Sequence, residues 1–417
     1  MKLRCDITLP ASKSESNRAL MIAAYGGFAP VFQNLSDSND TKILMKALNS
    51  LSFIDSCRRT ISRWKCSAFD EVNDINGMPQ VVDVADCGTA ARFLTTYFAC
   101  HEGDWLLTGT ERMCQRPMAP LVEALRKLGA NIQYVEKEGF LPLHINGKPL
   151  VGGKLGIDIN WSSQFASSLL LAAPIWPKGL ELELLGEMNS LPYLDMTINM
   201  VCHFSAQAER RGRTVIVKPQ PYQKQLFTVE SDWTAASYWY EMAAFSEECE
   251  IRLRGLERPF DRLRDRSLTT GRLGLQGDSI IAVWMQQLGV GTFTENDAIV
   301  LRKIPYEKRP LHFDFSQHPD LYPTMAAICA GLGIEATFEG LDNLALKESD
   351  RVEAMQTELA KLDSKPIHFC THNDHRVAMA LAPLSMLVGD VSFDYPEVVK
   401  KSYPCFWKEV SFLPIKR

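Results

Sequence analysis

Apolar residues recur every three or four positions along several segments of the chain, and shorter segments rich in β-branched and aromatic residues follow them. The three- and four-residue spacing is typical of amphipathic helices and predicts helices over residues 118–128, 278–288 and 348–362. The short segments predict strands over residues 132–135, 141–145, 291–294, 299–301 and 336–341. The alternation of the two patterns predicts an α/β fold.

Two of the predicted helices end alike and lead into the same kind of hairpin. Gly129 and Gly289 each follow a leucine at the helix end, where glycine favours the left-handed conformation that closes a helix. A charged turn then separates two predicted strands in both places, and looser versions of this unit follow residues 45–51, 196–204 and 352–362. Recurrence at roughly 65–75 residues predicts one supersecondary unit used about six times, in two lobes of about 200 residues. A helix followed by a hairpin is also common in unrelated α/β proteins, so coincidence is the alternative explanation.

Composition narrows the class of protein. Of the 417 residues, 46% are hydrophobic and 23% are charged, which is typical of globular chains and excludes disorder over the whole length. The formal net charge of −5 argues against a nucleic-acid partner. Eleven cysteines are scattered without disulfide or zinc spacing, and proline interrupts the longest apolar runs at Pro174 and Pro383. We therefore expect a cytoplasmic protein with no membrane span and no secretion signal.

The first polar cluster, residues 9–18, runs directly into a predicted helix. Ser14 lies at the expected helix start, with Lys13 before it and Arg18 one turn later. Unpaired backbone N–H groups and the helix dipole favour an anion at such a start, and Lys13 and Arg18 add positive charge. The cluster therefore predicts an anion site, with an ordinary serine cap as the alternative.

Further polar clusters lie at other predicted helix starts. They are residues 86–92, 112–117, 162–164, Ser190 with Tyr193, 319–320, 347–351 and 374–376. Thr89 is expected to cap its helix and Pro117 to open the next one. Each cluster alone is equally explained by capping or by solvated charge. If the helices of each lobe run parallel, however, their positive ends would gather in one cleft, which suits a small substrate with several negative groups.

Two common cofactor motifs are not supported. His372 and His375 have a spacing found at metal sites, but no third ligand lies nearby in the sequence, so we predict no metal. The glycines of residues 271–277 do not have the spacing of a dinucleotide-binding turn.

Seven motifs together resemble those of the 5-enolpyruvylshikimate-3-phosphate synthases, in the same order along the chain. They lie at residues 9–18 (K-S-x-S-N-R), 88–92 (G-T-A-x-R), 112–117 (R-M-x-x-R-P), 162–164 (S-S-Q), 347–351 (K-E-S-D-R), 373–376 (N-D-H-R) and 401–404 (K-S-Y-P). The resemblance covers nearly the whole chain.

This resemblance implies a two-lobed inside-out α/β barrel, each lobe built from three βαβαββ repeats, with a hinge between the lobes. By position, one lobe would comprise residues 12–230 and the other residues 1–11 plus 231–417. The implied reaction transfers the enolpyruvyl group of phosphoenolpyruvate to the 5-hydroxyl of shikimate 3-phosphate and releases phosphate. It requires no metal or organic cofactor, and the family default is a cytoplasmic monomer with no nucleic-acid or membrane partner.

The resemblance also implies the ligands of each substrate. For shikimate 3-phosphate they are Lys13, Ser14, Arg18, Ser162, Ser163, Gln164, Ser190, Tyr193, Asp320, Asn343 and Lys347. For phosphoenolpyruvate they are Lys13, Gly88, Arg116, Gln164, Arg351, Arg376 and Lys401.

The reaction needs one proton delivered to the methylene carbon and another removed from the attacking hydroxyl. We expect Glu348 to supply the first and Asp320 to accept the second, with Lys13 assisting proton movement and the leaving phosphate. Two other readings are a UDP-N-acetylglucosamine enolpyruvyl transferase, which would lack the K-S-x-S-N-R motif, and a catalytically idle paralogue. The idle paralogue would be expected to lose one of the three catalytic residues, and all three are present.

Four positions depart from the usual family pattern. Asp86 stands where asparagine is usual, Phe93 where many members have proline, Leu191 where lysine is common and Ala11 where glycine is usual. These departures bear on substrate affinity and on sensitivity to the inhibitor glyphosate more than on the reaction itself.

We predict that glyphosate inhibits the enzyme, because Gly88 leaves room beside the expected phosphoenolpyruvate site. The measurement is the rate of phosphate release at fixed substrate concentrations and rising glyphosate. A turnover that is unchanged at high glyphosate would contradict the prediction.

Overall fold

The computed structural model describes residues 1–50, 78–257 and 275–416. The chain divides into two compact units of α/β structure. Unit 1 comprises Met1–Lys13, Asn34–Asn39 and Val229–Arg417, and unit 2 comprises Ser14–Gln33 and Asp40–Thr228. The helix–hairpin unit expected after residues 45–51 and most of the glycine segment 271–277 lie outside the described residues.

The helices and strands are numbered in chain order. The α-helices are α1 Lys13–Gly26, α2 Asn39–Ser50, α3 Gly88–Cys100, α4 Glu111–Cys114, α5 Ala119–Lys127, α6 Ser163–Ala172, α7 Leu191–His203, α8 Trp233–Phe245, α9 Ile281–Trp284, α10 Tyr322–Leu332, α11 Arg351–Leu359, α12 His375–Leu381, α13 Ser385–Val388 and α14 Phe406–Glu409.

The strands of unit 1 are β1 Lys2–Thr8, β12 Glu248–Arg254, β13 Val290–Glu295, β14 Ala298–Lys303, β15 Leu311–Asp314, β16 Ala336–Glu339, β17 Ile367–Phe369, β18 Val391–Phe393 and β19 Ile415–Lys416. Those of unit 2 are β2 Phe32–Gln33, β3 Gln80–Asp83, β4 Gly103–Thr108, β5 Asn131–Tyr134, β6 Leu143–Gly147, β7 Gly153–Asp158, β8 Leu180–Leu185, β9 Ala208–Arg211, β10 Thr214–Val217 and β11 Phe227–Thr228.

Three four-stranded sheets repeat one topology. Their strand orders are β3-β4-β6-β5, β7-β8-β10-β9 and β1-β12-β14-β13. In each sheet the first two strands are parallel and the last two form an antiparallel hairpin. In the two sheets of unit 2, one α-helix, α3 or α6, lies between the parallel strands in the chain. In the third sheet the first strand, β1, comes from the N-terminus of the chain. The βαβαββ repeat expected from the resemblance is therefore present in both units.

The repeat predicted after residues 352–362 is wrong. No hairpin follows there, because β17 pairs in parallel with β18 and β18 in parallel with β19. Helix α12 connects β17 to β18, so this sheet consists of crossover connections, which a local pattern does not distinguish from a hairpin.

The two predicted glycine helix ends are confirmed. Gly129 has φ +95° and Gly289 has φ +77°, the left-handed backbone that glycine adopts without a steric penalty. The helix predicted over residues 278–288 is instead three short segments, the 3-10 turns Gly277–Ile280 and Met285–Leu288 on either side of α9.

The core of each unit is built on enclosed helices. Every residue of α8 and α12 is buried, and so is every residue of α3 except Thr89. Strands such as β8 instead alternate, with Leu180, Leu182 and Leu184 buried and the residues between them more exposed. The helices therefore lie inside and the sheets cover them, as the inside-out arrangement requires. None of the helices in the described ranges is long and apolar enough to span a membrane.

Glu241 is a buried acid in the apolar core of unit 1. Glu241 on α8 is fully buried, and neither of its carboxylate oxygens has a hydrogen-bond partner among the described residues. Burial raises the pKa of Glu241 well above its ordinary value, because the apolar surroundings disfavour the charged form. The folded protein therefore favours the protonated side chain up to a higher pH than the unfolded chain does.

We predict that Glu241→Gln makes the protein more stable than the wild type, by an amount that grows as the pH rises. Unfolded Glu241 ionises above about pH 4.5, so the free energy of unfolding of the wild type falls by up to about 1.4 kcal/mol per pH unit above that pH until the folded pKa is reached. The glutamine variant lacks this proton release. Urea unfolding at several values from about pH 5 to about pH 8 measures the difference. The exposed Glu335→Gln is the control, and a pH-independent difference for Glu241→Gln would count against the prediction.

Candidate active site

Four helices of unit 2 are joined by buried hydroxyl groups. Thr96 on α3 and Ser168 on α6 lie 2.6 Å apart through their hydroxyl oxygens, and Thr197 on α7 donates to Ser167 on α6 at 3.0 Å. Arg18 on α1 donates through Nε to Thr197 at 2.7 Å. The N-terminal residues of these helices include most of the motif residues in this unit.

Arg18 is a buried cation that donates hydrogen bonds to neutral acceptors, and the nearby Glu15 acts electrostatically on its pKa. Beside Thr197, its guanidinium donates to the carbonyl oxygen of Ser14 at 2.9 Å and to that of Tyr193 at 3.3 Å. Burial lowers the pKa of Arg18 to about 10, which still leaves the side chain charged at neutral pH. A buried charge is stabilised by a counter-ion, so an anionic ligand beside Arg18 would be favourable.

Gly88, the first residue of α3, lies against two arginines. A Cβ atom at this position would come within 2.7 Å of a guanidinium nitrogen of Arg116 and would collide with Arg92. The predicted Thr89 cap is wrong, because the Sγ of Cys87 accepts the hydrogen bond from the N–H of Ala90 at 3.3 Å. Thr89 is thereby available to a different partner, described next.

The serine–glutamine motif connects α6 with α3. Ser162 caps α6, with its Oγ accepting from the N–H of Gln164 at 3.2 Å, and the side-chain amide of Gln164 donates to the Thr89 hydroxyl at 3.2 Å. Ser163 is buried at the start of the helix. Ser190 precedes α7 with φ +56° and makes no side-chain cap.

The two arginines of the R-M-x-x-R-P motif differ in environment. Arg116 is 8% exposed, whereas Arg112 lies exposed on the short helix α4. The sequence predicted that Pro117 opens the following helix, and this prediction is wrong. Helix α5 begins at Ala119 and carries Pro120 in its first turn. Arg116 is therefore the arginine of this motif that lies beside Gly88.

In unit 1 the buried guanidinium of Arg351 binds three carboxylates. Its nitrogens donate to Asp374 at 2.8 Å, Asp320 at 2.8 Å and Glu348 at 2.9 Å, and the Arg351 side chain is 2% exposed. Burial alone would lower the pKa of Arg351, but the three carboxylates hold it above its ordinary value. The three acids come from different segments, so this one side chain fixes their relative positions.

Asp320 joins Arg351 to a second arginine. Its other carboxylate oxygen accepts from Arg376 at 2.7 Å. Burial would raise the pKa of Asp320, but Arg376, Lys347 and Arg351 outweigh it and lower the pKa below its ordinary value. Asp320 is therefore ionised throughout the neutral pH range.

Asp374 has both a structural and an electrostatic role. It caps α12 by accepting from the backbone N–H of Arg376 at 2.9 Å, and it also accepts from Arg351 and, at 3.2 Å, from the Ser349 hydroxyl. The N-termini of α11 and α12 thus meet at one fully buried carboxylate.

His375 belongs to the N-D-H-R motif, but the sequence analysis weighed its individual role only as a metal ligand and assigned it no part in binding or catalysis. It is 1% exposed, and neither ring nitrogen has a hydrogen-bond partner among the described residues. Burial lowers the pKa of His375 well below its ordinary value, and the nearby cations Lys13 and Arg376 lower it further. The ring is therefore neutral, and its position between two motif residues was the only signal in the sequence.

Four other predicted residues are placed as follows. Lys13 is the first residue of α1, and its charge lowers the pKa of His375. Lys401, which is 4% exposed, lowers the same pKa. The charge of Lys347 lowers the pKa of Asp320. Asn343 is partly exposed in the 3-10 turn Asp342–Leu346. Within the described ranges there is no group of three or more His, Cys, Asp or Glu side chains arranged to hold a metal.

We predict that Arg351→Met lowers the free energy of unfolding by about 3–5 kcal/mol, because it leaves buried carboxylates without their counter-charge. Arg302→Met removes an ion pair with Glu295 from a 35% exposed side chain and should cost at most about 1 kcal/mol. Urea unfolding measures the free energy of unfolding of each variant. Hydrogen exchange of the amides of α11 and α12, measured separately, shows whether the lost stability is in unit 1. Equal stabilities of the two variants would contradict a structural role for the Arg351 cluster.

Comparison with known proteins places the chain in a family. The family model described as EPSP synthase (3-phosphoshikimate 1-carboxyvinyltransferase) matches residues 1–367 and 363–410. A 3-phosphoshikimate 1-carboxyvinyltransferase of Bacteroides fragilis (strain YCH46) is 39% identical over 98% of this chain and 95% of its own length. One of Haemophilus influenzae (strain ATCC 51907 / DSM 11121 / KW20 / Rd) is 30% identical over 98% of this chain and 96% of its own.

A solved structure shows the same fold. The EPSP synthase of Acinetobacter baumannii, solved at 2.37 Å, superposes with a TM-score of 0.69 at 20% identity, covering 98% of this chain and 95% of that one. The family model and these relatives match nearly the whole chain, and the chain belongs to the EPSP synthase family.

Proposed function

We propose that this protein transfers the enolpyruvyl group of phosphoenolpyruvate to the 5-hydroxyl of shikimate 3-phosphate and releases orthophosphate. The observation that carries the proposal is the Arg351 cluster, in which Asp320 and Glu348, the two expected acid–base groups, are bound to one guanidinium. Both carboxylates lie in chain segments that the family model matches. The product belongs to the route to chorismate and the aromatic amino acids.

The reaction is an addition followed by an elimination. A proton adds to the methylene carbon of phosphoenolpyruvate, the 5-hydroxyl oxygen attacks the neighbouring carbon, and the hydroxyl proton is lost. In the resulting tetrahedral intermediate, the C–O bond to phosphate breaks and a proton leaves the methyl group, which restores the double bond. The enzyme must therefore supply one proton to carbon in the addition, accept one from the hydroxyl oxygen, accept one from the methyl group in the elimination, and bind a strongly anionic intermediate.

Asp320 and Glu348 suit the two proton transfers. Asp320 is ionised at neutral pH, the state required of a group that accepts the hydroxyl proton. Glu348 shares the guanidinium of Arg351 with Asp320, which holds the two acids at a fixed spacing. We assign the carbon proton to Glu348, and Lys13 to proton movement and the leaving phosphate.

The arginines and hydroxyl groups of the motifs supply the anion binding. For shikimate 3-phosphate, the support in unit 2 is the buried charge of Arg18 with its neutral acceptors. For phosphoenolpyruvate, the support is Arg116 beside Gly88 in unit 2, and Arg376 and Lys401 in unit 1. Arg351 binds three carboxylates, so direct binding of phosphoenolpyruvate requires that it exchange one of them for the substrate.

The reaction as written needs no metal or organic cofactor, and we propose that the chain works without one, as a cytoplasmic monomer. The scattered cysteines support a reducing compartment. Size-exclusion chromatography with light scattering tests the oligomeric state.

The test of the proposed function is phosphate release from phosphoenolpyruvate by the purified protein in the presence of shikimate 3-phosphate. Metal-chelated buffer tests the absence of a metal requirement in the same assay. UDP-N-acetylglucosamine in place of shikimate 3-phosphate is the alternative acceptor. Release only with the sugar nucleotide, or with neither acceptor, would overturn the proposal.

We predict that Glu348→Gln lowers kcat by about 10²–10⁴-fold, because an amide cannot deliver the proton to carbon. Both KM values should change far less than kcat. Glu353→Gln makes the same chemical change at an exposed position of the neighbouring helix α11 and should have wild-type kinetics. Wild-type turnover in Glu348→Gln would remove Glu348 from the proposed role.

A further inference from the structure

The loop that leads into α12 has an unfavourable backbone conformation. His372 and Asn373 are consecutive left-handed residues, with φ +51° and +53°. Neither residue is glycine, so this conformation must be stabilised by surrounding contacts. The loop ends at Asp374, the cap of α12 and a ligand of Arg351. Its conformation therefore bears directly on the Arg351 cluster.

Glu358 supplies contacts that stabilise this loop. It lies in the last turn of α11 and is 1% exposed. One carboxylate oxygen accepts from the backbone N–H of Cys370 at 2.9 Å and from Lys361 at 2.6 Å, and the other accepts from the His372 ring at 3.0 Å. Two of the three donors belong to the loop.

A second carboxylate holds the other side of the same loop. Asp394, which follows β18, accepts from the backbone N–H of Thr371 at 2.8 Å and from the Cys370 thiol at 3.1 Å. Asp394 fixes the loop to the sheet, whereas Glu358 fixes it to α11. The bond between Glu358 and the His372 side chain reaches a left-handed residue directly, and the backbone N–H of His372 also donates to the Cys370 sulfur at 3.4 Å.

The helix that carries Glu358 also begins with Arg351. Helix α11 therefore contacts the α12 segment twice, through Arg351 and Asp374 at its start and through Glu358 and the loop at its end. Two contacts on one rigid helix determine both the position and the direction of the segment. The backbone of Arg376, two residues after the cap, is held by Asp374 in the same arrangement, and its side chain donates to Asp320.

We propose that Glu358 is a positioning residue for the transfer reaction: it fixes the loop 370–373 and thereby the placement of Asp374 and Arg376. This inference rests on the proposed function. Glu358 touches no reacting group, and it acts through the His372 ring and the Cys370 backbone. Small misplacement of a binding group far from the chemistry can lower the rate by about 10²-fold, so the effect is measurable.

The primary variants are Glu358→Gln and His372→Asn. Glutamine keeps the size of the side chain and one oxygen acceptor, but it cannot accept all the bonds that the carboxylate accepts. Asparagine tolerates the left-handed backbone at position 372 and removes the ring that reaches Glu358. His372→Asn leaves the buried carboxylate with Lys361 and Cys370, so it tests the inference even if Glu358→Gln fails to fold.

Two control variants separate positioning from loss of stability. Glu353→Gln removes an exposed carboxylate from the same helix. Val290→Ala destabilises unit 1 at a fully buried position of the sheet β1-β12-β14-β13, whose hydrogen bonds do not involve the loop.

The measurements are kcat and the KM of each substrate. We expect Glu358→Gln to raise the KM for phosphoenolpyruvate about tenfold or more, because Arg376 is displaced, and to leave the KM for shikimate 3-phosphate within about twofold. His372→Asn should change the same parameter to a smaller extent, and both controls should leave both KM values at the wild-type level.

Three outcomes would overturn the inference. They are wild-type kinetics in both primary variants, an equal rise of both KM values, and the same pattern in Val290→Ala. An inactive wild-type protein would instead refute the proposed function. In that case the inference is still tested by hydrogen exchange of the peptide that covers the loop 370–373 and the start of α12. Exchange that is unchanged in both primary variants would show that Glu358 does not fix this loop.

Discussion

The buried guanidinium of Arg351 is the interaction on which the candidate site depends. Removing one arginine and three carboxylates from water is costly, and the cost is recovered only when each nitrogen meets an oxygen at hydrogen-bond distance. The cluster is therefore cooperative, because losing one member leaves the others buried and unbalanced. Its net charge is negative before Arg376 is included, and the second arginine moves the balance back toward neutrality.

The enclosed helices explain why the polar residues lie where they do. A helix that is buried on every side can present only its ends, since its flanks are occupied by packing against other helices and sheets. The N-terminal ends carry unpaired N–H groups and the positive end of the dipole, so they are suited to anions. Gly88, Ser163, Arg351 and His375 are all first residues of helices in this structure. An inside-out unit thus favours anion-binding residues at helix N-termini.

Local features of the sequence were predicted well, and long-range partners were not. The glycine ends at Gly129 and Gly289 and the hairpins that follow depend on neighbouring residues, and the structure confirms them. The hairpin expected after residues 352–362 failed, because the pairing of β17 is decided by a strand more than 20 residues away. Thr89 failed as a cap because Cys87 took that role and Gln164 bound the threonine, which only the packing of α6 on α3 determines.

In the candidate site, too, the sequence predicted individual residues but not their long-range partners. Sequence motifs identified Asp320, Glu348, Arg351 and Arg376 as residues of interest, but not that one arginine would bind three acids contributed by segments up to 54 positions apart (320 to 374). His375 was undervalued because histidine pairs suggest metals, whereas full burial among cations makes this one neutral. Glu241 gave no signal at all, since an acid within an apolar helix is expected on its surface.

The pairing of β1 with β12 has a consequence for how the chain is made. Lys2–Thr8 matches Glu248–Arg254, so β1 has no partner in its sheet until about 240 further residues have been synthesised. At about 5–20 residues per second, this strand waits roughly 10–50 s, with its edge open to pairing with other chains. All of unit 2 is translated during this interval, and its own sheets need no later residues. Nascent-chain folding is therefore ordered, with the unit encoded in the middle finished before the unit that contains both termini.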